Sequence, residues 1–321
     1  MEDPTVLKLI ASRVDDTVLG SLSRIPSLWN VLLSELKNQF FWYERTAAAF
    51  NLPDEFQWEY GDNSQENWQQ IFNILQSTKN EDPFAVNPYG LSVLEKNGYN
   101  LLAVKLLLWM GYTPLGMISV KQAIKYGDLA VVKLLLSDSR IDLRGGQAMA
   151  RAMYAAIERD RLDMVQAIIE AMGDKISAKG GQQLLNNALS KAAVLDNVDI
   201  LRYLLKLRPV NKGMLRLTVQ DVIDHNSLGA LRVLLRGFKP DQKSLLGYID
   251  HAAHDDETEP SLKLLLTRVK NVPVHIILIW ITDAAKRGNP KILRTLLDRF
   301  NKDGRLEELL QKSTAISMAR G

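Results

Sequence analysis

The 321-residue chain contains no cysteine and only four histidines. The absence of cysteine excludes disulfides, thiolate zinc sites, iron–sulfur clusters and cysteine nucleophiles. It favours an intracellular, cytoplasmic location, because a chain without cysteine gains nothing from an oxidising compartment. Four histidines leave few candidates for metal binding or acid–base catalysis, and we expect neither a cofactor nor a bound metal.

Long hydrophobic runs and a targeting signal are also missing. The most apolar stretch, Val272 to Ile281, contains Pro273 and His275 and is only ten residues long. A helix that spans a bilayer needs about 20 apolar residues. The first residues, Met1-Glu2-Asp3-Pro4, are acidic where a secretory signal is basic. We therefore expect no membrane-spanning segment and no membrane partner.

Net charge is small but unevenly distributed. The 40 Lys and Arg residues against 37 Asp and Glu residues give +3, which by itself predicts no nucleic-acid partner. Residues 1–80 carry eleven acidic and six basic side chains, whereas residues 202–243 carry three and nine. Four of the six tryptophans lie in the first 68 residues. These shifts predict two modules, 1–80 and 91–300, with a linker over 81–90 that is rich in Pro, Asn and Gly.

A short apolar motif recurs seven times in the second module. Its third position is Lys or Arg in six of the seven copies, at 105, 133, 166, 202, 232, 263 and 294. An alanine-containing segment with a polar turn precedes most copies, for example Ala123 to Asp128 and Ala284 to Asn289. The pattern predicts pairs of short antiparallel helices whose apolar faces are buried by stacking on neighbouring pairs. In this register Leu135 and Leu204 are core residues, and the third position faces solvent.

These repeats resemble the degenerate ankyrin repeats found in large DNA viruses. The pattern Ala-x-x-x-Gly-Asp/Asn-x-x-hydrophobic-hydrophobic-Lys/Arg-x-Leu-Leu matches best at 123–136 and 284–297, and the resemblance covers roughly residues 91–300. The family's Thr-Pro-Leu-His opening is missing from every repeat, so we expect short loops between repeats rather than long β-hairpin fingers. The resemblance implies an all-α, helical-pair (ankyrin-like) solenoid of about seven repeats that binds proteins. Another helical-pair solenoid is the alternative.

The first module contains an apolar pattern that begins with Pro4, Leu7, Ile10, Leu19, Leu22 and Trp29. The pattern continues through Leu33, Phe41 and Trp42. It resembles a divergent F-box, and its first six residues are the candidate partner-binding residues. The resemblance implies contact with the adaptor subunit of a cullin-type ubiquitin ligase. A helical cap that shields the apolar end of the first repeat is the alternative explanation of the same residues.

A second candidate surface is a basic strip within residues 202–243. Its members lie near predicted loops and are Arg208, Lys212, Arg216, Arg236, Lys239 and Lys243. The functional interpretation is a site for a negatively charged protein partner. Nucleic acid is disfavoured, because no aromatic residues alternate with the basic ones. A solvated face without a partner is the alternative.

Residues that carry chemistry are scarce. His251-x-x-His254-Asp255-Asp256 is the best metal-site candidate, because an i, i+3 pair on a helix can face one ion. The repeat register explains the same residues as a polar turn, which we favour. Gly145-Gly146 and Gly180-Gly181 lack the Lys-Ser/Thr of a phosphate loop and are typical of turns. No catalytic motif is found, so we expect a non-enzyme.

The sequence therefore predicts a protein–protein interaction module with two possible roles. The first is a substrate-recognition adaptor for a cullin-type ubiquitin ligase, whose repeats hold the target. The second is a non-enzymatic structural or assembly protein that ties other proteins, such as capsid proteins, together in the host cytoplasm or virion. Residues 301–321 are predicted to form a C-terminal cap and tail.

Overall fold

The part of the chain that the structure, a computed structural model, describes is helical. It comprises residues 39–52, 67–78, 94, 100–112, 117–126, 128–140, 147–207, 212–305, 307 and 311. Of these residues 81% are helical and none forms a β-strand, which confirms the predicted all-α class. The predicted linker at 81–90 and most of the predicted tail at 301–321 lie outside the described residues. The chain divides into two compact units, Met1–Leu143 and Arg144–Gly321.

Fifteen α-helices form the described part of the two units. They are α1 Gln39–Phe50, α2 Trp68–Ser77, α3 Leu101–Trp109, α4 Met117–Tyr126, α5 Leu129–Ser137, α6 Gln147–Glu158, α7 Leu162–Met172, α8 Lys179–Val194, α9 Val198–Leu207, α10 Lys212–Asp224, α11 Leu228–Phe238, α12 Gln242–Ala252, α13 Glu259–Leu266, α14 Val274–Arg287 and α15 Pro290–Lys302. Two short 3₁₀ helices, Gly173–Ser177 and Asp256–Thr258, precede α8 and α13. None of these helices is both long enough and apolar enough to cross a membrane.

In the first unit, α1 and α2 are joined by aromatic side chains. The ring centroids of Trp42 and Phe72 are 5.4 Å apart, and those of Tyr43 and Trp68 are 5.0 Å apart in an edge-to-face arrangement. Such geometries are favoured by the ring quadrupole. The Arg45 guanidinium lies 5.0 Å from the Phe72 ring centroid. Trp42, which closes the F-box-like pattern, is therefore buried within the unit.

The remaining described helices of the first unit pack against their neighbours in the chain. Helices α4 and α5 form a pair, and α3 packs against both α2 and α5. Asp128 caps the start of helix α5, because its carboxylate accepts a hydrogen bond of 2.9 Å from the Val131 amide. Leu135 is completely buried and Lys133 is exposed, as the repeat register predicts.

The described part of the second unit contains five helical pairs: α6/α7, α8/α9, α10/α11, α12/α13 and α14/α15. The first helices of successive pairs contact one another from α6 to α12, and the second helices do so from α7 to α15. Leu204 is 2% exposed, whereas Arg202 on the same helix is exposed. The apolar faces are thus buried between the two helices of a pair and against the neighbouring pairs.

Hydrogen bonds connect the tight turns of successive pairs. Asn197 Nδ2 donates to Ile157 O at 2.9 Å and to Asp160 Oδ1 at 2.8 Å. The Asp196 carboxylate accepts from Ala230 N at 2.6 Å and from Gly229 N at 3.3 Å, both at the start of α11. Each of these turn side chains thereby forms a hydrogen bond with a backbone group of the adjacent pair.

The same linkage continues toward the last pair. Asn226 Oδ1 accepts from Ser261 Oγ at 2.9 Å, and Asn289 Nδ2 donates to His254 O at 2.8 Å. We call the edge that contains these turns the turn edge, with residues 158–163, 195–199, 221–229, 250–259 and 283–291. The opposite edge, where one pair leads into the next, is the loop edge.

Gly229 lies where the start of α11 approaches the preceding turn. A Cβ atom at this position would lie 2.6 Å from Val198 Cγ2 and 2.9 Å from Asp196 Oδ1. Real Cβ contacts are not this short, so the absence of a side chain lets the start of α11 reach the preceding turn.

Candidate binding surface

The predicted F-box-like contact residues precede the described part of the chain. Pro4, Leu7, Ile10, Leu19, Leu22 and Trp29 all lie before Gln39, where the description begins. Their role remains a prediction.

The basic strip is only partly described, and its described members lie at one edge. Arg208 lies outside the described residues, and Lys212 begins α10, with a side chain that is not described. The other four, Arg216, Arg236, Lys239 and Lys243, are exposed. Helix α10 begins, α11 ends and α12 begins at the same end of antiparallel pairs, so all these positions belong to the loop edge.

The local backbone of the strip is defined by the caps of two helices. Lys239 directly follows α11 and is its C-cap residue, with a left-handed backbone conformation and φ of 41°. Asp241 caps α12, since its carboxylate accepts from Ser244 N at 2.7 Å. Burial raises the pKa of the Tyr248 hydroxyl, an effect that Arg216 opposes and Asp241 reinforces. Arg216 therefore lies within electrostatic range of α12, although it belongs to α10.

Charge is divided between the two edges of the second unit. The described parts of the loop edge comprise residues 172–179, 206–207, 212–216, 236–243, 267–273 and 299–305, with 13 basic and three acidic residues. The turn edge has 13 acidic and five basic residues. The strip predicted from the sequence does not include the later basic residues Arg268, Lys270 and Arg305 of this edge. Each of them follows a second helix of a pair, and this position could have identified them because every such segment lies at the loop edge.

The best sequence candidate for a metal site is occupied by structural hydrogen bonds. His251 Nε2 lies 2.8 Å from Asp224 Oδ1 on the preceding first helix. Asp255 Oδ1 accepts from Glu257 N at 2.9 Å, and Asp256 Oδ1 accepts from the first amides of α15 at 3.1 Å. Nowhere in the described part of the chain do three His, Asp or Glu side chains form a group that could hold a metal ion. The residues serve the turn, as the repeat register suggests.

Only one of the two proposed glycine turns is described, and it lies within a helix. Gly145-Gly146 lies outside the described residues. Gly180 and Gly181 belong to the first turn of α8 rather than preceding it, and Gly181 is buried against the backbone of Ile176. A Cβ atom at Gly181 would lie 2.6 Å from Ile176 Cα, so this glycine permits close packing against the preceding 3₁₀ helix.

No protein family matches the chain, and no curated protein matches it either. The candidate site therefore rests on geometry and charge alone. What the loop edge can do chemically is attract negatively charged groups, over a range of about 8–10 Å at physiological salt.

Proposed function

We propose that the chain is a protein–protein interaction module built as a degenerate, ankyrin-like helical-pair solenoid, whose loop edge binds an acidic surface of a partner. The observation that supports this proposal is the division of charge in the second unit, 13 basic against three acidic residues along the loop edge. A row of like charges at one edge steers oppositely charged partners and raises their association rate.

The favoured role is that of a substrate-recognition adaptor for a cullin-type ubiquitin ligase in the cytoplasm. In this role the F-box-like module contacts the ligase's adaptor subunit and the repeats hold the target. The support is the apolar pattern from Pro4 to Trp42, together with helical pairs that leave a charged edge open to solvent. Neither part requires a cofactor or a catalytic residue.

Affinity purification of the full chain with mass spectrometry tests both parts. Leu7→Asp, Ile10→Asp and Leu19→Asp together should abolish recovery of the ligase subunit and leave the melting temperature nearly unchanged. Arg216→Gln, Arg236→Gln and Lys243→Gln should instead reduce recovery of the target. Arg159→Gln, Lys286→Gln and Arg287→Gln remove the same charge from exposed sites on the turn edge and are the matched control.

A structural or assembly role is the second candidate, and one contact favours it. Trp42, the last residue of the F-box-like pattern, packs on Phe72 within the first unit. A module that caps the repeats would use all its apolar residues in this way. Charged substitutions at Leu7, Ile10 and Leu19 should then lower the melting temperature by several degrees, at about 2–4 °C per kcal/mol. Capsid or scaffold proteins, and no ligase subunit, should co-purify with the wild type.

A further inference from the structure

A groove lies between α13 and α15, the second helices of the last two pairs described. Its volume is about 650 Å³, and it is lined by eleven residues. Five of these are cationic: Lys263, Lys291, Arg294, Arg299 and Lys302. Only two are acidic, Glu259 and Asp298. The groove therefore has a surplus of positive charge that the α13–α15 contact itself does not explain.

Part of this charge is already compensated within the groove. Glu259 binds Lys263 Nζ at 2.5 Å and Thr295 Oγ1 at 2.7 Å. Burial raises the pKa of the Glu259 carboxyl, but these two hydrogen bonds and the nearby lysine charges outweigh it and lower the pKa below its ordinary value. Arg299 is bonded to Asp303 and to Leu266 O. Both side chains are thus engaged by the fold.

Three cations of the groove remain available. Lys291, Arg294 and Lys302 are exposed, and within the described part of the chain they form no ion pair or side-chain hydrogen bond. Arg294 holds the recurrent third position of the repeat, which the fold leaves in solvent in every described copy where it is basic. Packing does not require a cation at that position, because any long polar side chain would be tolerated there.

We propose that this groove binds a short, extended, acidic peptide segment of a partner protein. This proposal rests on the proposed function in one respect, namely that the chain acts by binding proteins. It adds where one contact with the partner lies and which chemical groups make it. Helix α13 is about 12 Å long and α15 about 20 Å, at 1.5 Å per residue. At about 3.3 Å per residue, four to six extended residues fill this length, and every second side chain faces the groove.

The lining favours a peptide over a nucleic acid. Stacking on aromatic rings is the usual source of affinity for single-stranded nucleic acid, and none of the eleven lining residues is aromatic. Asp298 would repel a chain that carries a charge at every nucleotide, whereas an acidic peptide can place an uncharged residue beside it. A smaller depression of about 340 Å³ shares Leu266 and Arg299 with the groove and extends it to Lys270 at the loop edge.

Fluorescence anisotropy with a labelled peptide of about eight residues, alternating Glu and Ser, tests the proposal on the full chain. Lys291→Gln, Arg294→Gln and Lys302→Gln together should weaken binding by about tenfold. Lys175→Gln, Lys179→Gln and Lys206→Gln remove the same charge at the far end of the loop edge and should change it by no more than about twofold. Circular dichroism tests whether both triple variants are folded. If the variant with Lys291, Arg294 and Lys302 replaced is unfolded, the single variant Arg294→Gln is measured in its place.

Carbodiimide cross-linking identifies the place of binding. Peptide carboxylates should become linked to Lys291 and Lys302, and not to Lys175 or Lys179. The proposal is wrong if the wild type does not bind the peptide, if both triple variants lose affinity equally, or if oligo-dT of equal charge binds as tightly and is lost in the same variant. Each of these results leaves the purification experiment unaffected, so the groove and the proposed function fail independently.

Discussion

Replacing Asn197 by Ala tests whether the turn edge holds neighbouring helical pairs together. Asn197 is 8% exposed, and its amide donates to Ile157 O and to Asp160 Oδ1. The Ile157 carbonyl keeps one backbone bond, from Asp160 N at 2.9 Å, so the loss there is a single hydrogen bond of about 1 kcal/mol. The bond to the Asp160 carboxylate is charge-assisted but only partly buried, which reduces its contribution to about 1 kcal/mol as well.

The expected destabilisation is therefore about 2 kcal/mol. For a unit of this size the melting temperature should fall by about 4–8 °C. Urea unfolding followed by circular dichroism at the helical band measures the change. Asn187→Ala is the matched control, because Asn187 is exposed on α8 and its amide oxygen accepts only from Gln183 on the same helix, at 2.9 Å.

Equal effects of Asn197→Ala and Asn187→Ala would refute the reasoning. That result would mean that apolar burial alone sets the register between α6/α7 and α8/α9. Asp160→Asn gives a further check, because it keeps the acceptor and tolerates the left-handed backbone at this residue. Asp160→Asn should therefore lose only the part of the hydrogen-bond energy that the carboxylate charge contributes.

Three further predictions concern packing, backbone and pH. Leu204→Ala should cost about 2–5 kcal/mol and Arg202→Ala about 0.5 kcal/mol or less by urea unfolding, and equal costs would mean that the repeat register is wrong. Gly229→Ala should destabilise the chain, because its Cβ would meet the preceding turn. Gly237→Ala in the same helix, where a Cβ meets nothing within 4 Å, should stabilise the chain by about 0.5–1 kcal/mol. Stabilisation by both substitutions would contradict the close approach at Gly229. Because the pKa of Glu259 is lowered by folding, its stabilising effect exists above the ordinary value of 4.5 and is lost as the pH falls through the folded value. Glu259→Gln should accordingly lower the urea midpoint at about pH 7, and the difference from the wild type should shrink as the pH falls below 4.5; a difference that stays constant in acid would exclude this carboxylate as the cause.

The apolar periodicity predicted the helical pairs because it records burial directly. Leu135 and Leu204 are buried where the register places them, and the alternation of polar turns with apolar helices located the tight turns. The spacing between successive repeats is irregular in the sequence, but the pattern alone did not explain the irregularity. The longest, from Gln166 to Arg202, contains the 3₁₀ helix Gly173–Ser177 and the 16-residue α8.

Features that depend on two distant segments were not predictable from the pattern. The partners of Asp196 and Asn197 lie more than 30 residues away, and a polar turn residue looks the same whether it bonds to water or to the next pair. The groove between α13 and α15 depends on how two exposed faces meet. The sequence indicated that Arg294 is a solvent-exposed cation. It did not indicate which side chains of α13 and α15 lie around it in the groove.

Four of the five tight turns described in the second unit contain a left-handed backbone position, and two kinds of residue occupy it. Asp160, Asp196 and Asn226 adopt positive φ in internal pairs, and Gly288 adopts it in α14/α15, the last pair described. Glycine carries no penalty in this region, whereas other residues accept about 1–2 kcal/mol of strain. The internal turns accept that strain because their side chains reach the following pair. An engineer who extends the array beyond α15 should therefore replace Gly288 with Asp or Asn, and one who shortens it should place glycine at the new terminal turn.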